Sequence, residues 1–179
     1  MRDQGYDFLN HEKYVEPFYC SGFSANQHGV TQSDVITSFE VFEHLSDPQA
    51  DLLEILNLAP RVVIFSTALY SGQGLDWDYL TPINGRHVFF YSATGLHDFA
   101  SKHGFVFMPG RHLHMLLQKT RNPFFFRAYA KSLARQVLAG GSFWRLLTAL
   151  HFLNRQRHAQ LYHQADHDAV KAHDLKSWS

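Results

Sequence analysis

The chain has 179 residues, 45% of them hydrophobic and 18% charged, which is one domain's length with enough apolar side chain for a core, and excludes a wholly disordered chain. No apolar run approaches the ~20 residues of a membrane-spanning helix, and the single cysteine, Cys20, excludes an internal disulfide and a cysteine-rich zinc site. Sixteen basic side chains balance sixteen acidic ones, but residues 1–98 hold four basic against thirteen acidic and residues 99–179 twelve against three, which suggests two regions with different jobs, the second facing something anionic or the acidic first half itself.

Met1–Gly5 turns polar at once, so no leader is read and the cytoplasm is the default compartment. Residues 6–11 are expected to form a short strand after Gly5. Residues 17–33, with Gly22 and Gly29, read as loop. Residues 34–42 are β-branched and aromatic and predict a buried strand. Asp47-Pro48 then supplies a helix N-cap and a first-turn proline. Leu52, Ile55, Leu56 and Ala59 follow on one face before Pro60 stops the helix. Residues 61–67 form a continuous apolar run, as in a parallel strand covered on both faces. An irregular aromatic connection over 68–91 leads to Ser92, the cap of a second helix with Leu96, Phe99, Ala100 and His103 on one face and Gly104 at its end. Phe105–Met108, the turn Pro109-Gly110 and Leu113–Gln118 predict a hairpin. This alternation is that of an α/β fold with a mostly parallel sheet. Residues 120–179 differ. They form a basic amphipathic helical extension to the α/β region of residues 1–119, broken at Gly140-Gly141.

Ligands of open α/β sheets bind beyond the carboxyl ends of the strands, and three segments qualify. Glu12-Lys13 follows the first expected strand, and its carboxylate can accept both hydrogen bonds of a ribose diol, or else be a solvated surface charge. Ser38–His44 combines aromatic and acidic side chains with an imidazole suited to general-base work. The plainer role for His44 is to satisfy a loop carbonyl. Asn84–Tyr91 carries His87, which can meet His44 over the sheet edge or simply accompany a turn glycine. Ser71-Gly-Gln-Gly74 lacks the third glycine and following helix of a dinucleotide loop. No metal centre is expected: His163 and His167 are four apart, but a zinc site needs further ligands. Cys20 has no evident base partner.

The segment Asp34-Val-Ile-Thr-Ser-Phe-Glu-Val-Phe-Glu-His-Leu-Ser-Asp-Pro48 resembles the fourth-strand motif of class I S-adenosylmethionine-dependent methyltransferases of the small-molecule type. Tyr6–Pro17, Val62–Thr67 and Gly85-Arg-His-Val-Phe-Phe-Tyr-Ser92 fit the same family in order, across residues 1–118. The resemblance implies a Rossmann-like sheet, S-adenosylmethionine as cofactor and methyl transfer to a small-molecule acceptor. It implies cofactor contacts from Glu12, Lys13, Phe39, Glu40 and Val41, with Glu12 on the ribose, and a catalytic pair in His44 and His87. The family's first strand and glycine-rich loop have no counterpart here, so the chain resembles a truncated member, with a sheet incomplete at its N-terminus and cofactor binding that is weak or absent.

The alternative is a non-catalytic remnant acting as an interaction or membrane-surface module. The incomplete sheet is expected either to let the first strand pair with residues 34–42 or to leave an open edge for self-association. In the extension, Arg121, Arg127, Lys131, Arg135, Arg145, Arg155 and Arg157 interleave with Phe124–Phe126, Trp144 and Leu147. That is the pattern of a helix on an anionic membrane surface, which would make the protein peripheral, and equally of a helix packed on a soluble domain. No nucleic-acid motif is present, so no specific nucleic acid is expected.

Overall fold

In the computed structural model, residues 7–13, 22–80 and 87–119 are described. The chain divides into two compact units, Met1–Thr31 with Leu150–Ser179, and Gln32–Ala149. The extension from residue 120 onward lies outside the described residues.

The second unit carries a four-stranded sheet. β1 (Val35–Phe39), α1 (Pro48–Asn57), β2 (Val62–Ser66), α2 (Ala93–Lys102), β3 (Phe105–Met108) and β4 (His114–Gln118) follow in order. The strands lie in the order β1-β2-β4-β3. β1 and β2 are parallel, with Phe39 opposite Ser66, which brings their carboxyl ends level. α1 is the crossover that a parallel pair requires. β4 runs antiparallel to both β2 and β3, so the last two strands form the expected hairpin. The architecture is a mixed α/β, Rossmann-like sheet.

Local chemistry sets each boundary. The Asp47 carboxylate accepts from the Ala50 N–H at 3.1 Å, and the Ser92 hydroxyl accepts from the Gly95 N–H at 3.0 Å, satisfying donors that a helix start leaves free. Gly104, at φ +79°, turns the chain from α2 into β3. All five residues of β2 are buried, as its uninterrupted apolar run requires. Phe42 stacks on Phe65 at 4.4 Å between ring centres, and Leu52, Tyr91, Leu96, Ala100, Phe105 and Leu116 complete the core. Each such large side chain contributes about 1.5–3 kcal/mol by leaving water.

Two expectations are corrected. The strand expected at 6–11 is not formed over the described residues 7–11, where a single bridge joins Asn10 to Ser24. The Asn10 N–H donates to the Phe23 carbonyl and the Ala25 N–H to that of Asn10; two polar links without an alternating apolar face do not propagate a ladder. β1 ends at Phe39 instead of reaching residue 42, because Glu40 adopts φ 51° and a one-turn 3-10 helix, Phe42–His44, follows. Among the described residues, β1 pairs along one edge only, with β2. No helix of those residues is long and apolar enough to cross a membrane.

Candidate functional site

The carboxyl end of β1 gathers most of the residues singled out in the sequence. Glu40 leaves the strand in a left-handed conformation that costs a non-glycine residue ~1–2 kcal/mol. Ser66, at the end of β2, holds it there: the Glu40 N–H donates to the Ser66 hydroxyl at 2.8 Å, and that hydroxyl donates to Glu40 Oε1 at 2.6 Å. The turn leaves Phe39 and Val41 more than two-fifths exposed on either side of Glu40.

The 3-10 turn then sends successive side chains in opposite senses. Phe42 enters the core and Glu43 is fully buried, while His44 is exposed. The Glu43 carbonyl accepts from the N–H groups of Val88 and Phe89, which ties the loop before α2 to this turn. His87, half-buried on that loop, thereby lies with its ring centre 5.0 Å from that of His44. The anticipated meeting of His44 and His87 is therefore present.

Tyr79 binds the arrangement together. Its hydroxyl donates to Glu43 Oε1 at 2.6 Å, its carbonyl lies 2.8 Å from His87 Nδ1, and its ring is 4.0 Å from that of His87. A carbonyl only accepts, so His87 carries its proton on Nδ1 and presents the lone pair of Nε2. Burial, and then the hydrogen bond to Glu43, push the Tyr79 phenol up to about 12; it stays protonated and donating at neutral pH. Burial raises the Tyr91 phenol as well, followed by the charges of Glu43 and Asp51, and its hydroxyl donates to the Phe42 carbonyl at 3.0 Å. The second carboxylate oxygen of Glu43, Oε2, is buried without a hydrogen-bond partner among the described residues.

One carboxylate oxygen of Glu43 and one ring nitrogen from each of His44 and His87 lie within 4.8 Å of one another. In the sequence, two histidines at the four-residue spacing of a chelating pair occur only at His163 and His167, which lie outside the described residues; the triad of Glu43, His44 and His87 and its link through Tyr79 have no such spacing. The Glu43-His44 dipeptide was a signal. That Glu43 is buried and Tyr79 holds it was not visible, because Tyr79 lies 36 residues away in an irregular connection.

Glu12 and Lys13 belong to the first unit, where both are exposed just beyond the Asn10 bridge. Gly72 and Gly74 lie in an irregular loop, as expected of an incomplete glycine motif.

A family model described as a methyltransferase domain matches residues 4–108. No curated protein and no solved structure matches the chain.

Proposed function

The chain belongs to the methyltransferase domain family, and from that premise we propose that it takes part in S-adenosylmethionine-dependent methyl transfer to a small-molecule acceptor. The observation that carries this reading is the carboxyl end of β1, where exposed Phe39 and Val41 flank the pinned Glu40 and the His44–His87 pair follows. Parallel strands that end level are where α/β sheets hold nucleotides. The exposed apolar pair suits a purine face, so the residues present fit the cofactor.

The cofactor supplies an electrophilic methyl group on its sulfonium sulfur. The protein's share is to bind, orient and move a proton. Phe39 and Val41 cover the cofactor's apolar parts, and Glu40 presents its carboxylate from a fixed backbone. By the family resemblance, Glu12 would accept from the ribose diol and Lys13, next to it in sequence, would supply a cation. His87, with Nδ1–H engaged by the Tyr79 carbonyl, offers Nε2 to an acceptor's hydroxyl or amine proton. His44 faces the same space with its ring exposed.

Calorimetric titration of the full chain with S-adenosylmethionine tests the binding half. Weak binding that saturates at one equivalent is expected, with Glu12→Ala weakening it further by roughly ten- to hundredfold, because a hydrogen bond to a charged group is worth ~1.5–3 kcal/mol. Unchanged affinity in that variant removes Glu12 from the site, and no saturable heat overturns the reading.

A further inference from the structure

We propose that Glu43, His44 and His87 form a binding site for one divalent transition-metal cation. Three observations converge on it. The first is composition and closeness: a carboxylate oxygen and two imidazole nitrogens lie within 4.8 Å of one another. Bonds of roughly 2.1 Å to such a cation space its ligand atoms roughly 3.4 Å apart, so the donors must draw in by up to about 1.4 Å. His44 is exposed, which leaves its ring room to turn toward His87.

The second is the state of Glu43. The residue is fully buried and its Oε2 has no partner among the described residues. A buried carboxylate oxygen left unpaired is costly, and native structures rarely keep one without a reason. A cation held between Glu43 and the two imidazoles supplies the missing partner.

The third is the outer layer. Ligating histidines commonly donate their other N–H to a carbonyl or carboxylate, and ligating carboxylates are themselves hydrogen-bonded. Tyr79 does both: its carbonyl takes His87 Nδ1–H at 2.8 Å, and its hydroxyl donates to Glu43 Oε1 at 2.6 Å. The lone pair of His87 Nε2 is thereby free to ligate. A set of two imidazoles and one carboxylate suits zinc, iron(II), manganese or cobalt over magnesium or calcium, which prefer all-oxygen shells.

Three protein ligands leave positions open for water or for an acceptor's oxygen or nitrogen. In what the cation does, the proposal rests on the methyl-transfer reading and changes the role given above to His87: with the cation bound, Nε2 ligates instead of taking the acceptor's proton, and the cation holds the acceptor's ligating atom and makes its proton easier to lose to water. Cation binding itself rests on the triad alone. It is measured without cofactor or acceptor, so its failure and the failure of the methyl-transfer reading are separate results.

The experiment is a cobalt(II) titration of the full chain, followed by visible absorption and by broadening of the histidine ring protons in the NMR spectrum. One saturable cobalt per chain is expected, with the His44 and His87 resonances broadened. His44→Ala and His87→Ala should each weaken binding at least tenfold, and Tyr79→Phe roughly ten- to hundredfold, as losses of outer partners do. His103→Ala and the double variant His163→Ala/His167→Ala should bind as the unaltered chain does. Glu43→Gln disturbs a buried side chain, so the accessible histidines carry the test, each variant checked for fold by circular dichroism. No saturable cobalt, or binding that survives in both His44→Ala and His87→Ala, overturns the proposal. So does binding lost in the His163→Ala/His167→Ala variant.

Discussion

Single side chains at the strand ends set the geometry on which the site depends. The Ser66 hydroxyl accepts the Glu40 N–H and donates to the Glu40 carboxylate, offsetting the cost of the left-handed backbone at φ 51°. Ser66→Ala removes both bonds and leaves the strained residue unheld. Urea denaturation should show a loss of about 1–3 kcal/mol; a variant as stable as the parent would mean that Glu40 holds its conformation unaided. His114 does comparable work at the far side of β2. Its Nε2 lies 2.9 Å from the Thr67 carbonyl and its Nδ1 accepts from the Gly110 N–H at 3.2 Å, which fixes a neutral ring. Burial lowers its affinity for a proton, and the Thr67 bond only partly opposes this. The unfolded chain therefore gains a proton at this residue before the fold does. Stability contributed by the neutral ring is complete above about pH 6.5 and declines as the pH falls below it, by up to about 1.4 kcal/mol per unit. Thermal melts from pH 7 to 5 should fall more steeply for the parent than for His114→Gln, and parallel slopes would refute the assignment.

At the level of elements, the strongest local signals in the sequence are realised. Asp47-Pro48, Ser92 and Gly104 bound α1 and α2 as their chemistry dictates, and the apolar run after Arg61 becomes β2. These features are local: a cap, a stop or a run of β-branched residues acts within a few positions. What escaped the sequence is long-range or conformational. The turn at Glu40 follows from a hydroxyl 26 residues away, and no glycine or asparagine announces it. The burial of Glu43 depends on Tyr79 and on the loop that carries His87, and such closures leave no periodicity to read. The missing strand at 7–11 shows the converse, since a mixed run such as Tyr-Asp-Phe-Leu-Asn-His suits a strand only where a partner offers it a face. Gly104 allows a clean test of a local rule. Open space surrounds the point where a Cβ would stand, but φ is +79°. Gly104→Ala should therefore cost about 1–2 kcal/mol through backbone strain alone, with the core unchanged by NMR, and Gly104→Asn should cost less. A greater loss for Gly104→Asn than for Gly104→Ala would point to side-chain volume as the cause.

Across the whole molecule, charge is distributed more unevenly than the fold requires. The basic half begins inside the α/β region, with Lys102, Arg111 and Lys119, and continues without an acidic side chain to Ala165. Like charges gathered on one stretch repel each other, and a chain that keeps them together gains from an anionic partner. We propose that the partner is an anionic membrane surface, met by the aromatic and basic residues of 121–158, since interleaved apolar and cationic side chains exploit both burial and attraction. The competing arrangement, in which the basic half is neutralised by the acidic half of the same chain, makes a different prediction. Vesicles containing anionic lipid should sediment the full chain at low salt and release it at high salt, because the attraction is screened within ~10 Å at 0.1 M. Replacing Arg121, Arg127, Lys131, Arg135 and Arg145 together by glutamine should abolish the association while the circular dichroism spectrum of the full chain is retained. Vesicles of neutral lipid separate the two contributions: binding that persists there is apolar and insensitive to salt. A full chain that stays in the supernatant at low salt assigns the basic residues to neutralising the acidic half, and the membrane proposal falls.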